Sequence, residues 1–242
     1  MKSIFIYAAS RSDNYSLKIA EWIADEIKNA SNDEIEFSIH TPKELNIYNC
    51  NGCNGCFYTG NCSIDKLDGF GQIKNELLQS NLVILISPVY AHNVSGDMKV
   101  FIDRISHWLH LMRLAGKKSV SISVSSNNGN DYVDNYLHKI LEWMGTEVIA
   151  KLSVTVDYPP MLKDEFFLKK QFPKICKKIA SALDEGDFHS TSTQEIFFHS
   201  LKQNFEGKPS TDSAEVRYWL QSGMLEYDSF ENFVRHKVLA LV

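Results

Sequence analysis

The stretch Leu82 to Arg104, LVILISPVYAHNVSGDMKVFIDR, decides the fold of this chain. It begins with five consecutive apolar residues, Leu82 to Ile86, which are rich in branched side chains and too few for a stable helix. An apolar run without polar alternation is typical of a strand covered on both faces, as in a parallel sheet. Because Pro88 cannot donate a backbone hydrogen bond and disfavours helical backbone at Ser87, we expect the strand to end there.

Helical periodicity begins after Ser95 and Gly96. Apolar residues then recur at intervals of three and four, which predicts one helix with a single buried stripe. The stripe consists of Met98, Phe101, Ile102, Ile105, Trp108, Leu109 and Met112. Strand, tight loop and helix form half of a βαβ unit, and ligands of open α/β sheets bind outside the carboxyl ends of the strands. We therefore expect the functional site at the loop that follows Ile86.

Four further strands are predicted on both sides of this stretch. They are Ile4–Ala9, Glu34–His40, Lys117–Val124 and Val148–Val156. Segments with helical periodicity alternate with them, the last being Asp164–Asp184. This alternation predicts an α/β protein with a flavodoxin-like, doubly wound, five-stranded parallel sheet of order 2-1-3-4-5. Its ligand site would lie at the switch point between strands one and three.

Composition limits the class of protein and its location. The 242 residues, 44% of them hydrophobic, suffice for a full core, and a net charge of −5 gives no basic footprint for a nucleic acid. No apolar run approaches the roughly 20 residues of a membrane span. Met1 leads directly into strand one without a basic and apolar leader, so we expect a cytoplasmic protein with no membrane partner.

The chain is expected to divide near Gly186. Residues 1–186 would form the flavodoxin-like domain. Residues 187–242 begin with a short polar linker and continue with aromatic-rich helical segments, too few for a separate domain and too apolar to remain unpacked. We predict a helical C-terminal extension that packs on the core or on a partner subunit.

A polar loop follows strand one, from Ser10 to Ser16. A hydroxyl-rich loop at a helix N-terminus suits a phosphate, because free backbone N–H groups and hydroxyls point at the anion, and Arg11 would add a charge-assisted fork. Taken by itself, the loop is explained better by simple capping of the helix by Ser12 or Asp13. The loop contains neither GxGxxG nor GKS/GKT, which argues against a dinucleotide Rossmann site and a P-loop NTPase.

Four of the five cysteines lie close together in a C-x2-C-x2-C-x5-C run: Cys50, Cys53, Cys56 and Cys62. Four thiolates can bind a [4Fe–4S] cluster or zinc. The compact spacing favours the cluster, since structural zinc more often uses two separated C-x2-C knuckles. A third interpretation is that the thiols bind no metal and are structural or redox-active. The spacing leaves all three open.

Over roughly residues 1–150 the chain resembles the NADPH-dependent FMN reductase superfamily, specifically its iron–sulfur flavoprotein branch. The resemblance is carried by the loop from Ser10 to Ser16, the cysteine run, and SPVY followed by SGDMK and FIDR. It implies non-covalently bound FMN and a homodimer or homotetramer. It implies a phosphate site at Ser10, Arg11, Asn14 and Ser16, isoalloxazine and ribityl contacts at Pro88, Val89, Tyr90 and Asn93, and a third side at Ser125, Asn127 and Gly129.

The resemblance also implies an activity. The implied protein is an FMN-dependent NAD(P)H oxidoreductase that passes electrons to a quinone-like, nitro or protein acceptor. If the cysteines bind a [4Fe–4S] cluster, the cluster would be an intermediate electron carrier. The alternative is a flavodoxin-like electron carrier without substrate turnover of its own. No side chain is predicted to be catalytic, because the flavin carries the reaction. His107 and His110 have the spacing of a metal pair, but without a third ligand an exposed or capping role is expected for both.

Overall fold

The five predicted strands lie side by side in one parallel sheet. The computed structural model describes residues 1–10, 15–156 and 172–238. Its main strands are β1 (Lys2–Ala8), β2 (Ile35–His40), β3 (Leu82–Tyr90), β5 (Lys118–Ser125) and β6 (Glu147–Thr155). A sixth, short strand, β4 (Asn93–Val94), pairs antiparallel with β3. The sheet order is β2-β1-β3-β5-β6, which confirms the flavodoxin-like α/β class and differs from the expected numbering only through β4.

Helices cover both faces of the sheet. They are α1 (Tyr15–Ala30), α2 (Gly55–Thr59), α3 (Asp65–Asp68), α4 (Phe70–Gln79), α5 (Gly96–Arg104), α6 (His107–Leu111), α7 (Asn130–Trp143) and α8 (Phe172–Asp184). Side chains of β1 alternate between the faces, so Ile4 and Ile6 pack with α1 and α8, while Phe5 and Tyr7 pack with α4, α5 and α7. The part of the predicted helix Asp164–Asp184 before Phe172 lies outside the described residues.

Two predicted boundaries in the deciding stretch were wrong. Strand β3 does not end at Ser87 but continues through Pro88 to Tyr90, because extended backbone suits proline and β4 supplies a new pairing partner for Val89. The predicted helix after Ser95 is divided into α5 and α6. At the division, backbone bonds such as Trp108 N–H to Ile105 O span three residues, which tightens the chain into a turn.

The C-terminal segment packs against the rest of the same chain. Its helices are α9 (Ser192–Phe205), α10 (Ala214–Ser222) and α11 (Phe230–Phe233), with a 3-10 turn at Met224–Glu226 and a π-helical turn at Val234–Val238. Their aromatic side chains form a third apolar cluster that also includes Met112. Trp219 Nε1 donates to His110 O at 2.8 Å, and Gln194 Nε2 donates to Glu142 O and Thr146 O. The domain boundary near residue 186 stays a prediction.

Within the described ranges, no helix is both long enough and apolar enough to cross a lipid bilayer.

Candidate functional site

Ser95 joins three parts of the sheet edge. Its backbone N–H donates to Ser87 Oγ at 3.1 Å, and its Oγ donates to Ala9 O at 3.0 Å. The same Oγ accepts the N–H of Met98 at 3.2 Å and so caps α5. Since Ala9 N–H also donates to Ile86 O at 2.8 Å, the loops after β1 and β3 leave the sheet at one point. This is the switch point predicted from the strand order.

Gly129 brings the loop after β5 to the same point. Its φ is +85°, and a Cβ here would lie 2.9 Å from Val89 Cγ1 and 3.2 Å from His92 Cδ2. Only glycine allows both this backbone and this approach. Asn130 holds this loop against the end of β5 with two hydrogen bonds. Its Nδ2 donates to Ser123 Oγ at 2.8 Å, and its Oδ1 accepts from Ser125 Oγ.

A tight hairpin between β3 and β4 forms the wall between these loops. Its two central residues, Ala91 and His92, have φ of 50° and 59°, as in a type I′ turn. Neither is the glycine or asparagine that this turn prefers, so the hairpin stores backbone strain of about 1–2 kcal/mol per residue. Tyr90 and His92 are exposed at its tip, and the His92 ring lies 5.2 Å from the ring of Tyr132. The site therefore has an exposed aromatic rim.

Ser10 lies at the end of this edge and is 5% exposed. Its Oγ is buried and has no hydrogen-bond partner among the described residues. A buried hydroxyl without a partner costs free energy, which an acceptor such as a phosphate oxygen would recover. Ser16, in the first turn of α1, is also buried. These residues fit the phosphate of a mononucleotide; Arg11 and Asn14, predicted for the same role, lie outside the described residues.

The other predicted flavin contacts differ in exposure. Pro88 and Ser125 are buried, Val89 is half-buried, and Tyr90, Asn93 and Asn127 are exposed. Asn93 Oδ1 accepts the N–H of Val94 at 2.8 Å and thereby orders the hairpin. The hairpin and the loop after β5 therefore lie next to each other, and Ser10 and Ser95 lie where these loops leave the sheet.

The cysteine loop connects β2 with α4 and contains short helices separated by residues of positive φ, among them Gly52, Asn54 and Gly60. All four thiols are free. Burial raises the pKa of the Cys56 thiol, neighbouring Cys62 and Cys50 add to this effect, and Lys74 opposes it. Cys50 also lies within electrostatic range of Lys99, one helical turn after Ser95. In the described part of the chain, however, no three His, Cys, Asp or Glu side chains are arranged to bind a metal ion.

A buried ion network beneath this loop was missed in the sequence. Arg104 donates to Asp68 and to Asp65 Oδ1, and its Nη1 donates to Tyr48 O at 2.8 Å. Asp68 Oδ2 accepts the N–H of Tyr48 at 2.9 Å, and Lys74 pairs with Asp65 at 2.8 Å. The network therefore connects the residues just before Cys50 with those just after Cys62. The available signal was an arginine next to the apolar stripe of α5 together with two aspartates three residues apart.

The two histidines differ from each other. The expected exposed role of His107 was wrong: it is 2% exposed, and burial, with a further contribution from Lys74, lowers its pKa to about 4. The ring of Phe57 in the cysteine loop lies 6.4 Å from the His107 ring, a contact that periodicity alone could not show. His110 is partly exposed and its Nδ1 lies 2.7 Å from Glu215 Oε1 of α10.

A parallel sheet whose polar loops converge at the switch point, beside a buried hydroxyl that has no partner among the described residues, places the chain in the flavodoxin-like class and is typical of mononucleotide-binding proteins. The model of the family described as NADPH-dependent FMN reductase matches residues 1–159. The chain belongs to this family, and it is accordingly a flavoprotein oxidoreductase that uses FMN.

Two relatives and two solved structures illustrate the similarity. An iron-sulfur flavoprotein of Archaeoglobus fulgidus is 33% identical over 230 residues, which covers 93% of this chain and 100% of the relative. One of Clostridioides difficile is 23% identical over 180 residues, 74% of this chain and 78% of the relative.

Among solved structures, an oxidoreductase from Corynebacterium diphtheriae superposes with a TM-score of 0.59 at 15% identity, over 76% of this chain and 97% of its own. An NADH:FMN oxidoreductase in its apo form superposes with a TM-score of 0.55 at 19% identity, and the match covers 88% of this chain and 100% of that structure. At these identities the structures show the shared fold.

Proposed function

We propose that this chain is an NAD(P)H oxidoreductase that binds FMN at the switch point and delivers electrons to a quinone-like, nitro or protein acceptor. The observation that carries the proposal is the position of Ser10: its buried hydroxyl lacks a partner among the described residues where the loops after β1 and β3 meet. Membership of the FMN reductase family supplies the cofactor class and the donor.

The chain's own groups would bind the flavin as follows. Ser10 and Ser16, with Arg11 and Asn14, would take the phosphate at the N-terminus of α1, where free N–H groups favour an anion. Pro88, Val89, Tyr90 and Asn93 would contact the ring system and ribityl chain from one side. Ser125, Asn127 and Gly129 would close the other side, with Gly129 letting the backbone approach closely. These assignments follow the three converging loops.

When bound, FMN supplies hydride acceptance and the release of electrons singly or in pairs. The protein contributes position and polarity. The Ser95 hydrogen bonds hold the loops after β1 and β3 together before the cofactor binds, which reduces the ordering cost of binding. The exposed rings of Tyr90, His92 and Tyr132 leave an apolar rim against which a nicotinamide or an aromatic acceptor can stack.

For the cysteines we propose a [4Fe–4S] cluster, supported by the donor set and by the similarity to iron-sulfur flavoproteins. Four free thiols in one glycine-containing loop are the ligands that such a cluster uses. Because no three of these side chains are arranged to bind a metal ion in the described part of the chain, no step of the reaction is assigned to the cluster. A homodimer or homotetramer is the expected assembly.

Purification under anaerobic conditions tests these proposals together. We expect a yellow protein with one FMN per chain, bleached by NAD(P)H and turned over by a quinone or nitro compound. Iron and sulfide analysis should find the cluster, and Cys53→Ala should lose the iron while keeping FMN. A colourless protein that does not take up added FMN would refute the site. Flavin without NAD(P)H oxidation would favour the electron carrier, and retained iron in Cys53→Ala would refute the ligand assignment.

A further inference from the structure

A large chamber lies between the cysteine loop and the C-terminal segment, away from the switch point. Its volume is about 1070 Å³, and its walls come from the cysteine loop and from helices α3, α4, α6 and α10. This volume is in the range of sites for small organic molecules. The loops assigned to FMN contribute none of its walls, so the chamber is a separate site.

The chamber walls carry excess positive charge. They include four cationic side chains, Lys66, Lys74, Arg113 and Arg217, and two carboxylates, Asp65 and Glu215. Both carboxylates already have partners: Asp65 pairs with Lys74 and Arg104, and Glu215 with His110.

The two arginines of the chamber have no carboxylate partner among the described residues. The guanidinium of Arg113 lies 4.9 Å over the ring of Tyr218. Arg217 donates to the carbonyl oxygens of Tyr58 and Ser210. A guanidinium that keeps free N–H groups beside a cavity favours a carboxylate, sulfonate or phosphate there, through bidentate charge-assisted hydrogen bonds.

His107 is the second observation that points to a ligand. It lines the chamber, is 2% exposed, and its Nδ1 is buried with no hydrogen-bond partner among the described residues. A buried ring nitrogen in this state costs free energy until a ligand atom or an ordered water meets it. Trp108, Leu111 and Tyr218 lie in the same walls. Trp108 and Leu111 are buried, so the half-buried Tyr218 supplies most of the aromatic surface there.

We propose that this chamber is a second ligand site, which binds a small aromatic anion with its acidic group at Arg113 and Arg217 and its ring against the wall that contains Tyr218. Anionic quinones and nitroaromatics belong to this class, and such an acceptor would lie against Cys56 and Cys62, which also line the chamber. That role as acceptor site rests on the proposed function. The binding does not, and the experiment therefore measures binding.

The test is calorimetric titration of the purified full chain, without NAD(P)H, with naphthalene-2-sulfonate and its neutral counterpart naphthalene-2-sulfonamide. We expect the sulfonate to bind at least tenfold more tightly than the sulfonamide. Arg113→Gln and Arg217→Gln should each weaken sulfonate binding at least fivefold and leave sulfonamide binding unchanged. Arg235→Gln, the same substitution at an arginine outside the chamber walls, should change neither.

A second measurement does not depend on any variant. Raising the salt concentration from about 0.05 M to about 0.5 M should weaken the sulfonate and spare the sulfonamide, because only the charged probe is screened. Equal affinity for both probes, or sulfonate binding that survives both arginine substitutions, would overturn the proposal. The titration measures neither FMN content nor NAD(P)H oxidation. The binding result therefore stays valid even if the proposed function is wrong.

Discussion

The guanidinium of Arg104 forms an ion pair with the carboxylate of Asp68, and neither side chain is exposed to solvent. Burial opposes the charge on Arg104, but the hydrogen bonds that it donates to Asp68 and Asp65 outweigh this effect and raise its pKa. Asp68 in turn accepts the N–H of Tyr48. This pair therefore connects α5, whose N-terminus is at the switch point, with both ends of the cysteine loop.

Removing the arginine should destabilise the protein strongly. Arg104→Met leaves the Asp68 carboxylate buried without its cation, and breaking a buried pair in this way costs about 3–5 kcal/mol. Urea unfolding measures the change. The control is Lys99→Met on the same helix, which breaks the exposed pair with Asp103 and should cost under about 1 kcal/mol. Similar losses in both variants would contradict a special role of the buried pair.

Ser10→Ala should separate phosphate binding from folding. Because the Ser10 hydroxyl has no described partner, its removal should leave the unfolding free energy of the FMN-free protein unchanged or slightly higher. FMN affinity should fall about tenfold, the equivalent of a lost hydrogen bond to a charged group. Riboflavin, which lacks the phosphate, serves as the control in fluorescence titrations. An equal loss of affinity for FMN and riboflavin would show that Ser10 does not contact the phosphate.

Gly129→Ala should weaken FMN binding more than tenfold. The new Cβ would lie 2.9 Å from Val89 Cγ1, so the loop after β5 must move away from the hairpin. Gly207→Ala is the matched control, since Gly207 also has positive φ but no atom within 4 Å of the added Cβ. Both variants carry the conformational cost of about 1 kcal/mol. If both lose FMN equally, crowding at Val89 is not the cause.

His107 should make the protein sensitive to acid. The pKa of His107 is about 4 in the folded chain and roughly 6.5 when unfolded. Between these pH values the imidazole is protonated in the unfolded state and neutral in the folded state. Stability is therefore present above pH 6.5 and lost as the pH falls towards 4, by at most about 3 kcal/mol. The free energy of unfolding of wild type should fall more steeply in this window than that of His107→Gln. Parallel pH curves would contradict the burial of His107.

Local sequence patterns determined much of the architecture. Uninterrupted apolar runs such as Leu82 to Ile86 are compatible only with strands covered on both faces, and the strands appear where they were predicted. Ser95 could be placed at the start of α5 because capping depends on residues within one turn. The strand order, and with it the switch point, followed from the alternation of strands and helices.

Other features depend on contacts between distant segments, which no local pattern encodes. Pro88 stays inside β3 because it lies opposite Val124 of β5 and because β4 pairs with the end of the strand. His107 is buried next to Phe57 of the cysteine loop, a contact between segments 50 residues apart. Three features exist only when separate loops meet: the Ser10 hydroxyl without a partner among the described residues, the approach of Gly129 to Val89, and the chamber beside Cys56. Residue types and spacing thus determined the elements and their order. Packing between residues far apart in the chain decided which polar groups lack a partner, and so where ligands can bind.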